Sequence, residues 1–169
     1  MAYRLSMKKK QILVSIHVLS LVAWLGGTIC MLLLGFYMKG AENREQLYYT
    51  LSSMNVIDVS LLKYPALVTL LTGILLSIWT QWGLIKHYWV LVKWILTFVI
   101  IIFSIIVTSE AFAFLLETVD KIGFISLQNK DFQIAWLQTI WGASINIVAM
   151  IFMTFITYLK PFGKVKNKK

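Results

Sequence analysis

The chain has 169 residues, 59% hydrophobic and 14% aromatic, with sixteen Lys and Arg against seven Asp and Glu and a net charge of +9. A single cysteine, Cys30, excludes an intramolecular disulfide and a thiolate metal cluster. The basic excess lies in flanks and a tail, Lys160–Lys169, that offer no folded basic surface, so no nucleic-acid partner is expected.

Four apolar runs, at about 11–38, 63–85, 88–116 and 133–159, are long enough to cross a bilayer core of about 30 Å as helices. They predict an all-α integral membrane protein, a four-helix up-down bundle forming one domain over 1–169, with no room for a separate soluble domain. The first run follows Met1–Lys10 and resembles a secretory signal, but about 28 apolar residues exceed a signal's apolar region, so it is expected to be retained as helix 1.

Helix 1 carries His17, Trp24, Gly26 and Gly27, then Cys30, Met31 and Met38. The outer loop 39–62 places Leu47, Leu51, Met54 and Ile57 at helical spacing, which predicts a short helix lying in the outer interface. Pro65 near the start of helix 2 costs little, because first-turn N–H groups lack intrahelical partners. A turn of a few residues around Gly83–His87 makes helices 2 and 3 an antiparallel hairpin, so sequence neighbours should pack side by side. Helix 3 carries Lys93 and Glu110, and the loop 117–132 mixes charged and apolar residues and should dip into the headgroups. Helix 4 carries Gly142, Ser144 and Asn146, the last suited to hydrogen bonding between helices, and Met153.

Charge sets the expected orientation. Arg4, Lys8, Lys9, Lys10, Lys86, Lys160, Lys164, Lys166, Lys168 and Lys169 fall on one side, against Lys39, Arg44, Lys63, Lys121 and Lys130 on the other. All seven acids lie in or beside the stretches 39–63 and 108–135 on that second side. By the positive-inside rule both termini are cytoplasmic, facing anionic lipids of a cell (cytoplasmic) membrane.

Ionisable groups within apolar spans default to functional hypotheses, and there are three: His17, Lys93 and Glu110. At 1.5 Å per residue, His17 and Lys93 stand roughly 9 Å and 7–8 Å from the inner ends of their helices, and Met153 roughly 9 Å from the inner end of helix 4. A His and a Met facing across a bundle can hold a haem iron, with Lys93 pairing a propionate and Trp24, one heptad from His17, packing beside it. The plainer readings stand next to this one: a core imidazole, a Lys snorkelling to the headgroups, and Met as apolar filler. Glu110 either pairs with Lys63 at the outer interface or serves as a proton or cation site. Cys30, Met31 and Met38 offer soft sulfur for Cu(I), although adjacent residues point about 100° apart on a helix. Two histidines exclude a cytochrome with two bis-histidine haems.

The stretch His17-Val-Leu-Ser-Leu-Val-Ala-Trp24-Leu-Gly26-Gly27 resembles the first helix of copper-resistance D proteins and HemJ-type protoporphyrinogen oxidases. Pro65-Ala-Leu-Val-Thr-Leu-Leu-Thr-Gly73 and Trp89-Val-Leu-Val-Lys93 are further echoes, in order along helices 1 to 3. The resemblance implies an uncharacterised four-helix relative in a bacterial inner membrane, with His17 as a haem b ligand and Lys93 as the matching third-helix lysine. Leu91 stands where the oxidases carry a second histidine. Three functions therefore remain open: a haem b or porphyrin protein, a non-catalytic accessory subunit that binds a membrane partner or a second copy of itself, and a small ion or copper transporter.

Overall fold

A computed structural model describes residues 5–80, 82–161 and 163–165. The basic residues Arg4, Lys166, Lys168 and Lys169, used above for orientation, lie outside the described residues, as does Met1. Four helices account for nearly all the rest: α1 (Met7–Lys39), α2 (Arg44–Trp79), α3 (Tyr88–Gln128) and α4 (Lys130–Leu159). Each is long and apolar enough to cross a membrane, which fits a multi-pass membrane protein.

The helices start and stop for local reasons. Asn43 caps α2 by accepting from the Gln46 N–H at 2.8 Å, and the Gln46 side chain accepts from the N–H of Glu42, the residue before the cap, at 2.9 Å. Asn129 caps α4 through bonds from Asp131 and Phe132 N–H. Gly123, at φ +65°, ends the α-helical part of α3, and residues Gly123–Gln128 continue as a 3₁₀ turn. Lys160 ends α4 in the left-handed region, at φ 45°, just before Pro161.

Two helices run on where the sequence predicts a short interfacial helix and a loop. Residues 44–62, within the stretch expected to lie in the interface, are helical as expected but form the first half of α2. Leu47, Leu51 and Met54 are fully buried against α1 and α3, so this amphipathic face is spent on the protein's own core. Likewise α3 continues through residues 117–122 before its 3₁₀ turn, with Leu115 and Val119 buried. Both of these helices contain a π segment, Asp58–Lys63 in α2 and Ser104–Thr108 in α3. The first immediately precedes Pro65, which sits in mid-helix rather than at a helix start. Proline has no N–H for the Leu61 carbonyl and its ring clashes with that turn, and the widened π turn relieves both problems.

The bundle is up-down. The segment before α1 and the segment after α4 meet the α2–α3 turn at one end, through Leu5 N–H to Trp79 O (3.3 Å) and Val165 N–H to Lys86 O (3.1 Å). Here the Trp82 ring packs edge-on against His87 and Trp89 and carries the Lys160 ammonium 4.6 Å from its centroid. We call this the terminal end. The central helix is α4, which packs on both α1 and α3, while α2 packs mainly on α1. Helices α2 and α3 pack side by side as expected of sequence neighbours, closely at the end away from the termini and more loosely toward their connecting turn. The largest core cluster, including Met38, Leu47, Leu51, Met54, Leu115 and Phe132, fills the end away from the termini. Toward the terminal end the core thins to Trp24, Ile100, Ala149, Met150 and Met153, then to Trp89, Val90 and Ile156.

Candidate functional site

The thinly packed terminal half holds His17 and Lys93. Helix α1 presents the half-buried His17 to a small, polar stripe of α2 formed by Thr69, Thr72, Gly73 and Ser77. The imidazole lies over Gly73, its Cε1 3.4 Å from where a β-carbon would stand, and its Nδ1 is 2.8 Å from Thr72 Oγ1. That hydroxyl contacts two carbonyls, Val68 O at 2.6 Å and Thr69 O at 3.2 Å. With its own proton directed to these carbonyls, the hydroxyl is placed to accept from the ring, an arrangement that suits the tautomer with its hydrogen on Nδ1.

Lys93 is held in the same way on the other side. Its ammonium donates to Thr157 Oγ1 at 2.7 Å, and Thr157 gives its own proton to Met153 O at 2.8 Å. Thr157 is two residues from the end of α4, so the lysine reaches toward the terminal end, as a snorkelling side chain does. It also lies within electrostatic reach of His17. No carboxylate lies in this half: the two ion pairs among the described residues, Lys63–Asp58 and Lys121–Glu117, are both in the other half. Thus His17 is anchored to α2 and Lys93 to α4, and Trp94 Nε1 to Ser77 Oγ (3.3 Å) links α3 to α2.

The other predicted residues are distributed around this pair. Trp24 is 3% exposed and shares one apolar cluster with Met153, Ile100, Ala149 and Met150 behind His17. Met153 is buried, and its sulfur accepts from Thr97 Oγ1 at 3.2 Å, which ties it to α3 while His17 is tied to α2. Glu110 is exposed and belongs to neither ion pair; Lys63 pairs with Asp58 at 2.7 Å instead of with Glu110. That five-residue spacing puts side chains about 140° apart on an α-helix and closer on the wider π turn they occupy. Cys30 is exposed while Met31 and Met38 are buried in the far core, so these sulfurs diverge. Among the described residues no three His, Cys, Asp or Glu side chains gather as a metal site would require.

Sequence reasoning meets the stretch ending at Thr72 and Gly73 only as an echo and passes over Thr157, assigning none of them the part they play in holding His17 and Lys93. A faint signal existed in the small residues four apart at 69, 73 and 77. The chain matches no known family model, curated protein or solved structure.

Proposed function

We propose that this is a multi-pass protein of the cytoplasmic membrane, with both termini cytoplasmic, that binds haem b or a related porphyrin in the terminal half of its bundle. The observation that carries this reading is the 2.8 Å contact of His17 Nδ1 with Thr72 Oγ1. A ligand histidine gives one nitrogen to iron and donates its other N–H to an orienting partner, and Thr72 is such a partner. Lys93, a cation with no carboxylate in its half, would take a propionate. Trp24 would pack beside the ring. Met153 fits less well as an opposite ligand, because its sulfur is already an acceptor within an apolar cluster. The group would supply electron-transfer chemistry; the chain would hold it, orient it and keep water from it. With Leu91 in place of the oxidases' histidine, no oxidase activity is part of this proposal.

The test is an absorption spectrum, oxidised and dithionite-reduced, of detergent-purified protein expressed with haem precursor. A stoichiometric Soret band that shifts on reduction and is abolished by His17→Ala is expected, with Glu110→Gln leaving it unchanged. A folded wild-type protein with a flat visible spectrum would overturn the proposal.

A second reading, an accessory subunit that packs against a membrane partner, is favoured by one feature. An open apolar groove lined by Leu96, Trp141, Ser144, Ile145, Val148 and Phe152 runs between α3 and α4, and Trp141 is 65% exposed in it. Exposed aromatic anchors of this type are enriched at contacts between proteins.

A further inference from the structure

One part of the α3–α4 seam is polar and buried in mid-bundle. Asn146, 4% exposed, donates through Nδ2 to Ser104 Oγ at 2.9 Å. One turn away along the same antiparallel seam, Thr108 lies against Gly142, its hydroxyl standing where a β-carbon of any larger residue would be. Ser104 and Thr108 are the two ends of the π segment of α3. Two buried polar atoms here have no hydrogen-bond partner, Asn146 Oδ1 and Thr108 Oγ1.

We infer that a buried water molecule occupies this seam, accepting from the Thr108 hydroxyl and donating to Asn146 Oδ1. The two protein atoms complement each other: one lacks an acceptor for its proton and the other lacks a donor. They are one helical turn apart in register, since Thr108 lies against Gly142 and Asn146 follows four residues on, and a single water can join two such groups through hydrogen bonds of about 2.8 Å each. The π turn beside these atoms breaks the regular i to i−4 ladder, and inserted water is a recognised companion of such breaks. A small cation fits worse. It would satisfy Asn146 Oδ1 but leave the Thr108 proton unmet, and it would be buried with no counter-charge. The nearest acid in sequence, Glu110, is two residues on, about 200° round the helix, and exposed. The inference is independent of the haem reading, since it uses none of the groups around His17.

Water–protein NOE spectroscopy on micelle-embedded protein with labelled Asn side chains reads the site directly. A long-lived water cross-peak to the Asn146 amide protons is expected in the wild type. It should vanish in Thr108→Val, an isosteric change that should lower the thermal midpoint by about 2–4 °C. Absence of the cross-peak in the wild type would overturn the inference. So would a Thr108→Val protein melting at or above the wild-type temperature, since removing a dry, unpartnered hydroxyl is a gain. Stabilisation by sodium chloride over choline chloride, lost in Asn146→Leu, would put a cation there and also overturn it.

Discussion

Gly73 decides where His17 rests. A β-carbon there would already be in van der Waals contact with the ring, 3.4 Å from Cε1, so γ- and δ-carbons beyond it compete with the imidazole for its place beside Thr72. Gly73→Leu is expected to cost about 1–3 kcal/mol by overpacking, and to release the imidazole from the tautomer that Thr72 favours. Nitrogen-15 chemical shifts of the labelled ring would show this as loss of the Nδ1–H form. Thr72→Val, which keeps the shape, should give the same spectral change with little repacking; an unchanged Nδ1–H signal in both would remove Thr72 from its orienting role. At this scale the sequence exposes charge and hides support. His17 and Lys93 are legible because an ionisable group in an apolar run is costly and therefore conspicuous. Their holders are not, because a membrane-helix threonine ordinarily bonds its own i−4 carbonyl, as Thr50, Thr118 and Thr139 do here. Thr72 and Thr157 do that as well, and the second bond is set only by the neighbouring helix.

Among the elements, α2 departs furthest from its sequence reading. The unbroken apolar run begins at about 63 and Pro65 suits a first turn there, so 39–62, with its mixed polar and apolar residues, reads as a separate interfacial piece. The π turn lets the helix continue through Pro65, so the periodic residues Leu47, Leu51 and Met54 belong to one 36-residue helix. Helix 1 accommodates the widened turn with a glycine. A β-carbon on Gly27 would meet Leu61 Cβ and Leu62 Cδ1 at 2.7 Å and the Leu61 carbonyl at 3.1 Å, whereas one on Gly26 would meet nothing within 4 Å. Gly27→Val should therefore destabilise by about 1–3 kcal/mol, while Gly26→Val stays within about 0.5 kcal/mol of wild type. Reversible unfolding in mixed micelles would compare the two. Equal losses would mean that generic helix effects, not contact with the π turn, make the pair Gly26–Gly27 matter. The four spans themselves are legible because hydropathy alone requires them; where each helix stops is decided by caps and tertiary burial.

The molecule as a whole is polarised twice over. Acids and the dense core occupy one end, while lysines without a carboxylate partner among the described residues, the aromatic rim and His17 occupy the other. If the positive-inside rule governs insertion, single cysteines answer the question of sides in a Cys30→Ala background. Gln128→Cys should react with an impermeant maleimide on intact cells and Ser6→Cys only after lysis; the reverse pattern would invert the topology.

The α2–α3 turn at the terminal end bonds both to Leu5 and to Val165, with His87 and Lys164 joined in an isolated bridge. In the order of synthesis these links close at different times. Leu5 can meet Trp79 as soon as two helices exist, but the partner of Lys86 arrives only after the fourth has been made. The turn is thus a clasp fastened in two stages, the first locking a hairpin and the second certifying that the whole circuit of helices has returned to its starting point.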